Sequence, residues 1–339
     1  MSEPLLTITI PTYNRLACLR LLLDTLIQQM QEIGVLGKQC QILVCNNASI
    51  DGTTEYLNEL RHINGIEVIH HAVNCGGDAN ILFCFQAAVS KYVWIVGDDD
   101  VPLGGAVAAM VECLERDAPD LLYLPQLWVS ADEVTGHAKN KINSKEVASL
   151  GRMELAVKAN VYVTFISAWV INVATYHTSA LNSKYDRYRG TSFTQLEWIL
   201  TLIKGGRKFI CMQDIFLVCR SGSSGGYSLF EVFSSQFNRI VDDKLITSPL
   251  LHHFFSQCML WRFIPGLVWG MRKNAIGNFD AFDKEKTFAV LKSAYHNNAF
   301  FLLVVTPMIF FNKPIAWCFK SLAAVMARIW FYLWKIRVS

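Results

Sequence analysis

Four apolar segments in the first part of the chain each run directly into a polar loop. They are Leu5–Ile10, Gln41–Cys45, Ile66–His70 and Lys91–Gly97. Short apolar runs that end at such loops are typical of buried strands, and apolar residues at helical spacing follow the loops. Strand, loop and helix repeated in this order predict parallel βαβ units in an α/β fold. Right-handed crossovers bring such loops to one edge of the sheet, where ligands bind.

The loop after the fourth segment contains three consecutive carboxylates, Asp98, Asp99 and Asp100. Closely spaced carboxylates repel one another unless a cation lies among them. Hard oxygen ligands at the edge of a nucleotide site indicate Mg²⁺ or Mn²⁺ bridging phosphates. An acidic turn that caps a helix explains an isolated Asp-rich loop equally well. The position of this loop after three other polar strand ends favours the ligand site.

The composition limits the classes of function. The chain has 339 residues and a net charge of +3, so a bulk nucleic-acid binder is not expected. Hydrophobic residues make up 52% of the chain and charged residues only 17%, a high apolar content for a soluble protein. The first residues do not resemble a signal peptide, and the ten cysteines are scattered singly. We therefore expect reduced thiols and a cytoplasmic location.

Taken together, the loops resemble glycosyltransferase family 2. The similarity covers about the first 110 residues and lies in Pro11-Thr-Tyr-Asn-Arg15, Asn46-Asn-Ala-Ser-x-Asp-Gly-Thr53, Asn74-x-Gly-Gly-x-x-Asn80 and Gly97-Asp-Asp-Asp100. Two later stretches, Tyr188-Arg-Gly-Thr-Ser-Phe193 and Phe216-Leu-Val-Cys-Arg220, resemble abequosyltransferases and related deoxyhexosyltransferases of bacterial O-antigen assembly. The resemblance implies a GT-A fold, which is Rossmann-like with a mostly parallel sheet and flanking helices. It also implies an inverting transfer from a nucleotide sugar, with a dideoxyhexose among the candidate sugars.

The resemblance also implies roles for individual residues. Asp78 would lie near the ribose or the sugar, and Arg220 would meet the diphosphate when the glycine-rich segment 221–226 closes as a lid. That segment is equally consistent with a hinge or a plain linker.

By the same resemblance, Asp98 and Asp100 would correspond to the metal-binding DxD motif, with Asp100 the expected direct ligand of Mg²⁺ or Mn²⁺. Asp99 would contact the ribose or the donor sugar. The residues expected to line the nucleotide pocket are Pro11, Thr12, Tyr13, Asn14, Asn46, Asn47 and Asp51. Asn46-Asn47 stands where many relatives have Asp-Asp, so the preferred base is left open.

An inverting transfer also requires a general base, which the resemblance places at the start of a helix predicted over Thr191–Lys204. Gln195 occupies the matching position, but an amide cannot accept the proton. Glu197 is the only carboxylate in that helix. It lies about 200° around the helix from Gln195, so it can serve as base only if the helix start is irregular. A structural role for Glu197 is equally compatible with the sequence, and Asp186 is a weaker candidate.

The last third of the chain has a different character. From about Leu229 the sequence predicts helices rich in Phe, Trp and Leu, and no acidic residue follows Glu285. Lys320, Arg328 and Lys335 share one side of a predicted final helix. This pattern predicts an interfacial helix on an anionic membrane surface; a soluble helical subdomain and a hairpin that dips into the bilayer are the alternatives. We expect a catalytic domain over 1–226 and a membrane-associating region over 227–339.

The predicted function is therefore transfer of a sugar to an oligosaccharide on a polyprenyl diphosphate, in O-antigen and lipopolysaccharide synthesis. The expected location is the cytoplasmic face of the inner membrane, with peripheral or monotopic attachment. Two alternatives stay open. A nucleotidyltransferase would normally show a glycine-rich, basic phosphate loop, which the first strand end lacks. A non-catalytic, membrane-bound sugar-nucleotide-binding protein would explain the missing base.

Overall fold

A computed structural model describes residues 3–180, 184–222, 228–273 and 282–338 of this chain. The strands of these residues, in chain order, are β1 (Leu6–Thr12), β2 (Cys40–Asn46), β3 (Ile66–His70), β4 (Tyr92–Ile95), β5 (Asp100–Pro102), β6 (Leu121–Tyr123), β7 (Gln126–Val129), β8 (Val147–Leu150), β9 (Trp169–Asn172), β10 (Phe209–Met212) and β11 (Leu217–Arg220).

Eight of these strands form one mixed sheet in the order β3-β2-β1-β4-β9-β6-β10-β8. The half made of β3, β2, β1 and β4 is entirely parallel, in register from Leu6↔Cys40 to Thr12↔Asn46 between its two longest strands. Strand β9 runs antiparallel to both β4 and β6. The strands β5, β11 and β7 form a second, three-stranded sheet. The predicted βαβ repeat is therefore confirmed for the first four strands.

The α-helices of the described residues alternate with the strands at first and then follow one another. In chain order they are α1 (Leu16–Glu32), α2 (Thr53–Leu60), α3 (Gly77–Ala87), α4 (Ala106–Asp117), α5 (Val134–His137), α6 (Arg152–Ala159), α7 (Val173–Ser179), α8 (Leu196–Gly205), α9 (Leu229–Glu231), α10 (Phe237–Leu245), α11 (Pro249–Arg262), α12 (Ile264–Arg272), α13 (Lys284–Tyr295), α14 (Thr306–Phe310) and α15 (Lys313–Val338). Two 3₁₀ segments, Asn160–Thr164 and Ile166–Ala168, and two π-helical segments, Val232–Gln236 and Phe301–Val305, complete them.

The main core lies between α1, α4 and one face of the large sheet. Helix α1 buries Leu19, Leu22, Leu23 and Leu26, whose spacing places them along one side of a helix. They pack with alternate residues of β1 and β2. This packing holds β1, β2 and β4 rigidly beside one another, so the loops at their carboxyl ends have a fixed separation.

The chain divides into two compact units. The first consists of Met1–Gly151, Thr164–Gly190 and Thr194–Ser221, and it contains both sheets. The second consists of Arg152–Val163, Thr191–Phe193 and Gly222–Ser339, and its described residues are mainly helical. The last helix, α15, is long and apolar enough to cross a membrane by length and composition.

Several predicted element boundaries differ from the structure. The helix predicted to begin at Thr191 begins at Leu196, because a turn with Ser192 at φ 64° precedes it. Gly52 occupies the N-cap of α2 in the left-handed region, and Asp51 before it accepts a hydrogen bond from the N–H of Thr53 at 3.2 Å. The consecutive strands β10 and β11 belong to different sheets. Most of the predicted glycine-rich lid, residues 223–226, lies outside the described residues.

Candidate active site

The carboxyl ends of β1 and β4 are joined by a buried hydrogen bond between two predicted site residues. Thr12, the last residue of β1, donates from Oγ1 to Asp98 Oδ2 at 2.7 Å. Both side chains are buried. The predicted gathering of the first and fourth loops at one edge of the sheet is confirmed by this contact.

The first and second loops are also tied together, through Asn14 and Asp51. Asn14 adopts φ 53°, a left-handed conformation that Asn tolerates better than most residues. Its Oδ1 accepts from the backbone N–H of Ile50 at 2.8 Å, and its own N–H donates to Ser49 Oγ at 2.9 Å. Asp51 accepts the N–H of Leu16, at the start of α1, at 3.0 Å. Several polar groups of these loops are therefore engaged in shaping the loops themselves.

Asn46 and Asn47 are buried, and their amide groups already have partners. Asn46 Oδ1 accepts from the N–H of Ser49, while its Nδ2 lies 2.9 Å from Thr54 Oγ1 and 3.0 Å from His70 Nδ1. Asn47 donates to Asn74 Oδ1 and accepts from the N–H of Cys75, both at 2.9 Å. These bonds connect the second loop to the third, the two loops that carry the remaining matched motifs.

Arg15 lies between two of the three adjacent aspartates. Its Nη1 is 2.7 Å from Asp99 Oδ2 and 3.2 Å from Asp98 Oδ1. Burial opposes the charge on the guanidinium, but the two carboxylates outweigh that effect and raise the pKa of Arg15. Burial raises the pKa of Asp98 to about 6, although Arg15 counteracts part of the shift. A cation from the protein's own chain therefore neutralises this part of the cluster.

Asp100 has a different hydrogen-bond partner from its two neighbours. Its Oδ2 accepts a hydrogen bond from Ser167 Oγ at 2.6 Å, and the N–H of Gly97 donates to the same serine hydroxyl at 2.9 Å. Burial, followed by the charge of Asp99, raises the pKa of Asp100 well above its usual range. A buried carboxylate with a raised pKa is one that a bound cation would stabilise in its ionised form.

The aspartates fit a divalent cation by the chemistry of their donor atoms. Carboxylate oxygens are the ligands that Mg²⁺ and Mn²⁺ prefer, and the guanidinium of Arg15 already lies where positive charge is stabilised. Among the described residues, no three His, Cys, Asp or Glu side chains are assembled into a ready metal site. A cation bound by Asp98 would compete with Arg15 for that carboxylate. The assignment of Asp98 and Asp100 as ligands stays a prediction.

An open cavity of about 660 Å³ adjoins the start of α1 in the first unit. Three arginines contribute to its wall, and Arg220 Nη1 lies 3.2 Å from Cys18 Sγ on the opposite element. Guanidinium groups and the N-terminus of a helix both favour anions. The residues that line this cavity are Asn14, Arg15, Leu16, Ala17, Cys18, Arg20, Asp51 and Arg220.

Asp78 lies in the first turn of α3, where a negative charge interacts favourably with the helix dipole. Its Oδ2 accepts from the N–H of Gly190 at 2.7 Å, so it fixes the turn that contains Asp186. Tyr13 is 44% exposed at the tip of the first loop, while the neighbouring Pro11 belongs to β1.

The candidate bases differ sharply in exposure. Glu197 is 0% exposed within the first turn of α8, and its charge helps to raise the pKa of the nearby Tyr176 after the larger effect of burial. Gln195 precedes the helix and donates from Nε2 to the carbonyl of Thr164 at 2.7 Å. Asp186 is exposed. The helix start is irregular, as the assignment of Glu197 required, but the side chain is enclosed.

Two residues of the cluster were missed from the sequence. Arg15 stands inside the first matched motif. The signal that could have indicated it is a positive charge in one strand-end loop when another strand-end loop contains three aspartates. Ser167 is 67 residues from Asp100 along the chain and lies in no motif, so no sequence pattern indicates it.

Comparison with known proteins identifies the family. The family model described as glycosyl transferase family 2 matches residues 7–186, more than half of the chain. This chain belongs to glycosyltransferase family 2. The match includes all four motif loops, and the predicted family and α/β GT-A fold class are confirmed.

Relatives of this family 2 member include a curated protein and several solved structures. Abequosyltransferase RfbV of Salmonella typhimurium is 32% identical over 116 residues, which are 34% of this chain and 34% of that protein. The chain thus matches about a third of the length of this curated relative. TarS of S. aureus, residues 1–349 in complex with UDP-GlcNAc, aligns with a TM-score of 0.60 at 14% identity over 96% of this chain and 91% of TarS. The mannosyltransferase PcManGT from Pyrobaculum calidifontis, solved with GDP-Man and Mn²⁺, aligns at 0.50 and 15% identity over 96% of this chain and 87% of that one. At these identities the structures support the fold alone.

Proposed function

We propose that this family 2 glycosyltransferase moves a sugar from a nucleoside-diphosphate sugar to a lipid-linked oligosaccharide, with inversion at the anomeric carbon. The observation that carries the proposal is the cluster of Thr12, Asp98, Asp99 and Arg15 at the strand ends of the first unit. It combines acidic and basic groups at the position where α/β sheets bind nucleotides. The similarity to an abequosyltransferase supports a deoxyhexose donor and a role in O-antigen and lipopolysaccharide synthesis.

The nucleoside would bind against the first two loops. The exposed ring of Tyr13 offers a stacking surface for a base, and Thr12 and Asn14 hold the loop that presents it. Because the amides of Asn46 and Asn47 are used within the protein, these residues would shape the nucleotide pocket more than read the base. Pro11 and Asp51 would support the wall of this nucleotide pocket. Asp78 would lie near the ribose or the donor sugar, and Asp99 would contact one of these two groups.

The diphosphate would be neutralised from two sides. Arg15 and Arg220 face one cavity, and either guanidinium can form paired hydrogen bonds with phosphate oxygens. Mg²⁺ or Mn²⁺ held by Asp98 and Asp100 would supply charge stabilisation for the leaving diphosphate. Solved relatives bind UDP-GlcNAc, or GDP-Man with Mn²⁺, which supports this class of donor and cation.

The acceptor would be an oligosaccharide on a polyprenyl diphosphate, which confines the reaction to a membrane surface. We propose peripheral or monotopic attachment at the cytoplasmic face of the inner membrane, where nucleotide sugars are available. The long apolar helix α15 and the absence of acidic residues after Glu285 support this location. Residues 1–226 would carry catalysis, and residues 227–339 would carry attachment.

The proposal is tested by titrating the purified protein with a panel of UDP-, GDP- and CDP-sugars, with and without Mn²⁺. Release of the nucleoside diphosphate is then measured with membrane lipids as the source of acceptor. Cation-dependent binding followed by turnover is the expected result. Binding without hydrolysis or transfer would instead favour a non-catalytic sugar-nucleotide-binding protein, an alternative kept by the amide at Gln195 and the enclosure of Glu197.

A further inference from the structure

Helix α15 of the second unit packs on its neighbours through one side. Its buried residues are Ala316, Ala323, Ala327 and Trp334. At about 100° per residue these four positions fall within roughly 40° of arc around the helix. Through this side α15 contacts α6, α11, α12 and α14 of the same unit. The contacts extend beyond these four positions, because Trp330 stacks on Phe254 and Trp261 of α11, and Arg262 of α11 lies over the ring of Phe331.

The side opposite the packed residues is apolar and exposed. Seven large side chains lie on it, all between 45% and 63% exposed. By the same rotation they occupy about 100° of arc, centred nearly opposite Ala316. We call this set the exposed apolar stripe; it consists of Ile315, Leu322, Val325, Ile329, Tyr332, Leu333 and Ile336. A continuous apolar surface of this length on a soluble protein marks an interaction site.

A row of cations borders the stripe along one flank. Lys313, Lys320, Arg328 and Lys335 fall within about 80° of arc between the packed side and the stripe. No carboxylate lies on this helix, since the sequence has none after Glu285. The exposed Trp317 lies on the same flank, and aromatic rings of this kind favour the headgroup level of a bilayer. The flank is thus complementary to an anionic surface that also has an apolar layer beneath it.

We infer that α15 lies in the plane of an anionic bilayer, with the exposed apolar stripe among the acyl chains and the basic flank at the headgroups. A second copy of the chain would offer the exposed apolar stripe an apolar partner. It would also bring the same positive flank, and the two rows of cations would repel each other. A membrane-spanning orientation would carry Lys320 and Arg328 into the hydrocarbon layer, where each charge is costly. The inference specifies how the membrane attachment proposed above is made and rests on it.

Vesicle binding by the full chain tests the inference without donor or acceptor. Wild-type protein should co-sediment with vesicles that contain phosphatidylglycerol, and should bind vesicles of phosphatidylcholine alone at least tenfold more weakly. The double variant Leu322→Glu/Ile329→Glu should lose at least tenfold in partitioning. Ile246→Glu is the matched control, because Ile246 is an exposed apolar residue of the same unit away from α15 and should change nothing. Equal binding by wild type and the stripe variant, or failure of wild type to bind, would overturn the inference.

Orientation is tested by cysteine labelling of vesicle-bound protein. Asn312→Cys and Arg337→Cys place thiols just before α15 and close to its end. A membrane-impermeant maleimide added outside, with modified sites mapped by mass spectrometry, should label both positions if α15 lies in the plane. Labelling of one end only would mean that the helix spans the bilayer and would refute the inference. Nucleoside-diphosphate release by the stripe variant in detergent reports separately on catalysis, so failure of attachment and failure of the proposed activity are distinguishable.

Discussion

The three adjacent aspartates are stabilised in three different ways. Asp98 has Thr12 and Arg15, Asp99 has Arg15, and Asp100 has Ser167. Adjacent carboxylates cannot all be ionised and buried without compensation, and the structure supplies one cation and several hydrogen bonds. A divalent cation would complete the compensation that Arg15 begins. A cation bound there would exchange with Arg15 at the carboxylates of Asp98 and Asp99.

Replacement of Arg15 tests this exchange. Arg15→Gln should lower the free energy of unfolding by about 1–3 kcal/mol without metal, because it leaves the buried Asp98 without its cation. The loss is less than for a fully buried pair, since the Arg15 side chain is 35% exposed. Mn²⁺ should stabilise this variant more than it stabilises wild type, because the freed carboxylates bind the cation without competition. Chemical denaturation with and without Mn²⁺ measures both effects.

Arg116→Gln is the matched control for that experiment. Arg116 pairs with Glu112 and Asp117 at the surface, where solvent screens such pairs, so its loss should change stability far less than the loss of Arg15 and leave the Mn²⁺ effect as in wild type. If Arg15→Gln behaves like Arg116→Gln, Arg15 does not compensate the aspartates.

The sequence predicted the aspartates as a cluster but not how they are held. Their position after an apolar strand is a local pattern that can be read directly. The hydrogen bond from Ser167 depends on β9 lying beside β4 in antiparallel register, which is a long-range pairing. Local patterns carry no information about such pairings, so the neighbours of a predicted site are harder to predict than the site.

At the scale of elements, the start of α8 determines which carboxylates remain candidates for the base. The family resemblance predicted a helix from Thr191, but a left-handed Ser192 delays the helix to Leu196. Glu197 consequently lies in the first turn and is fully enclosed. Asp186, in the turn held by Asp78, is exposed. A general base must contact the acceptor hydroxyl, so exposure favours Asp186 over Glu197.

Two variants separate these candidates. Asp186→Asn should lower the turnover rate by about 10²-fold or more with an unchanged thermal midpoint, because a solvent-exposed general base is lost. Glu197→Gln should change the turnover rate less and the stability more, because its carboxylate is enclosed in the core. Steady-state rates and thermal melts of both proteins give the answer. The reverse pattern would return the role to Glu197 and would mean that α8 opens when substrates bind.

At the scale of the whole molecule, the βαβ half of the large sheet was the most predictable part. Each of its first three strands is followed by a loop and a helix close in sequence, so local patterns were sufficient to predict β1 to β4. The second half mixes strands from distant parts of the chain, and the separate sheet of β5, β11 and β7 was not predicted. The helical second unit also takes in Arg152–Val163, which no change of composition marks.

We propose that the strand-end cluster supports cation-dependent sugar transfer. Its most direct test is the rate of nucleoside-diphosphate release against Mn²⁺ concentration, for wild type and Asp100→Asn. Because Asp100 is buried with a raised pKa, the amide should fold normally, and its thermal midpoint should equal or exceed that of wild type. We expect cation-dependent release by wild type and a loss of about 10²-fold or more in Asp100→Asn. Full activity in Asp100→Asn, at the wild-type dependence on Mn²⁺, would contradict it.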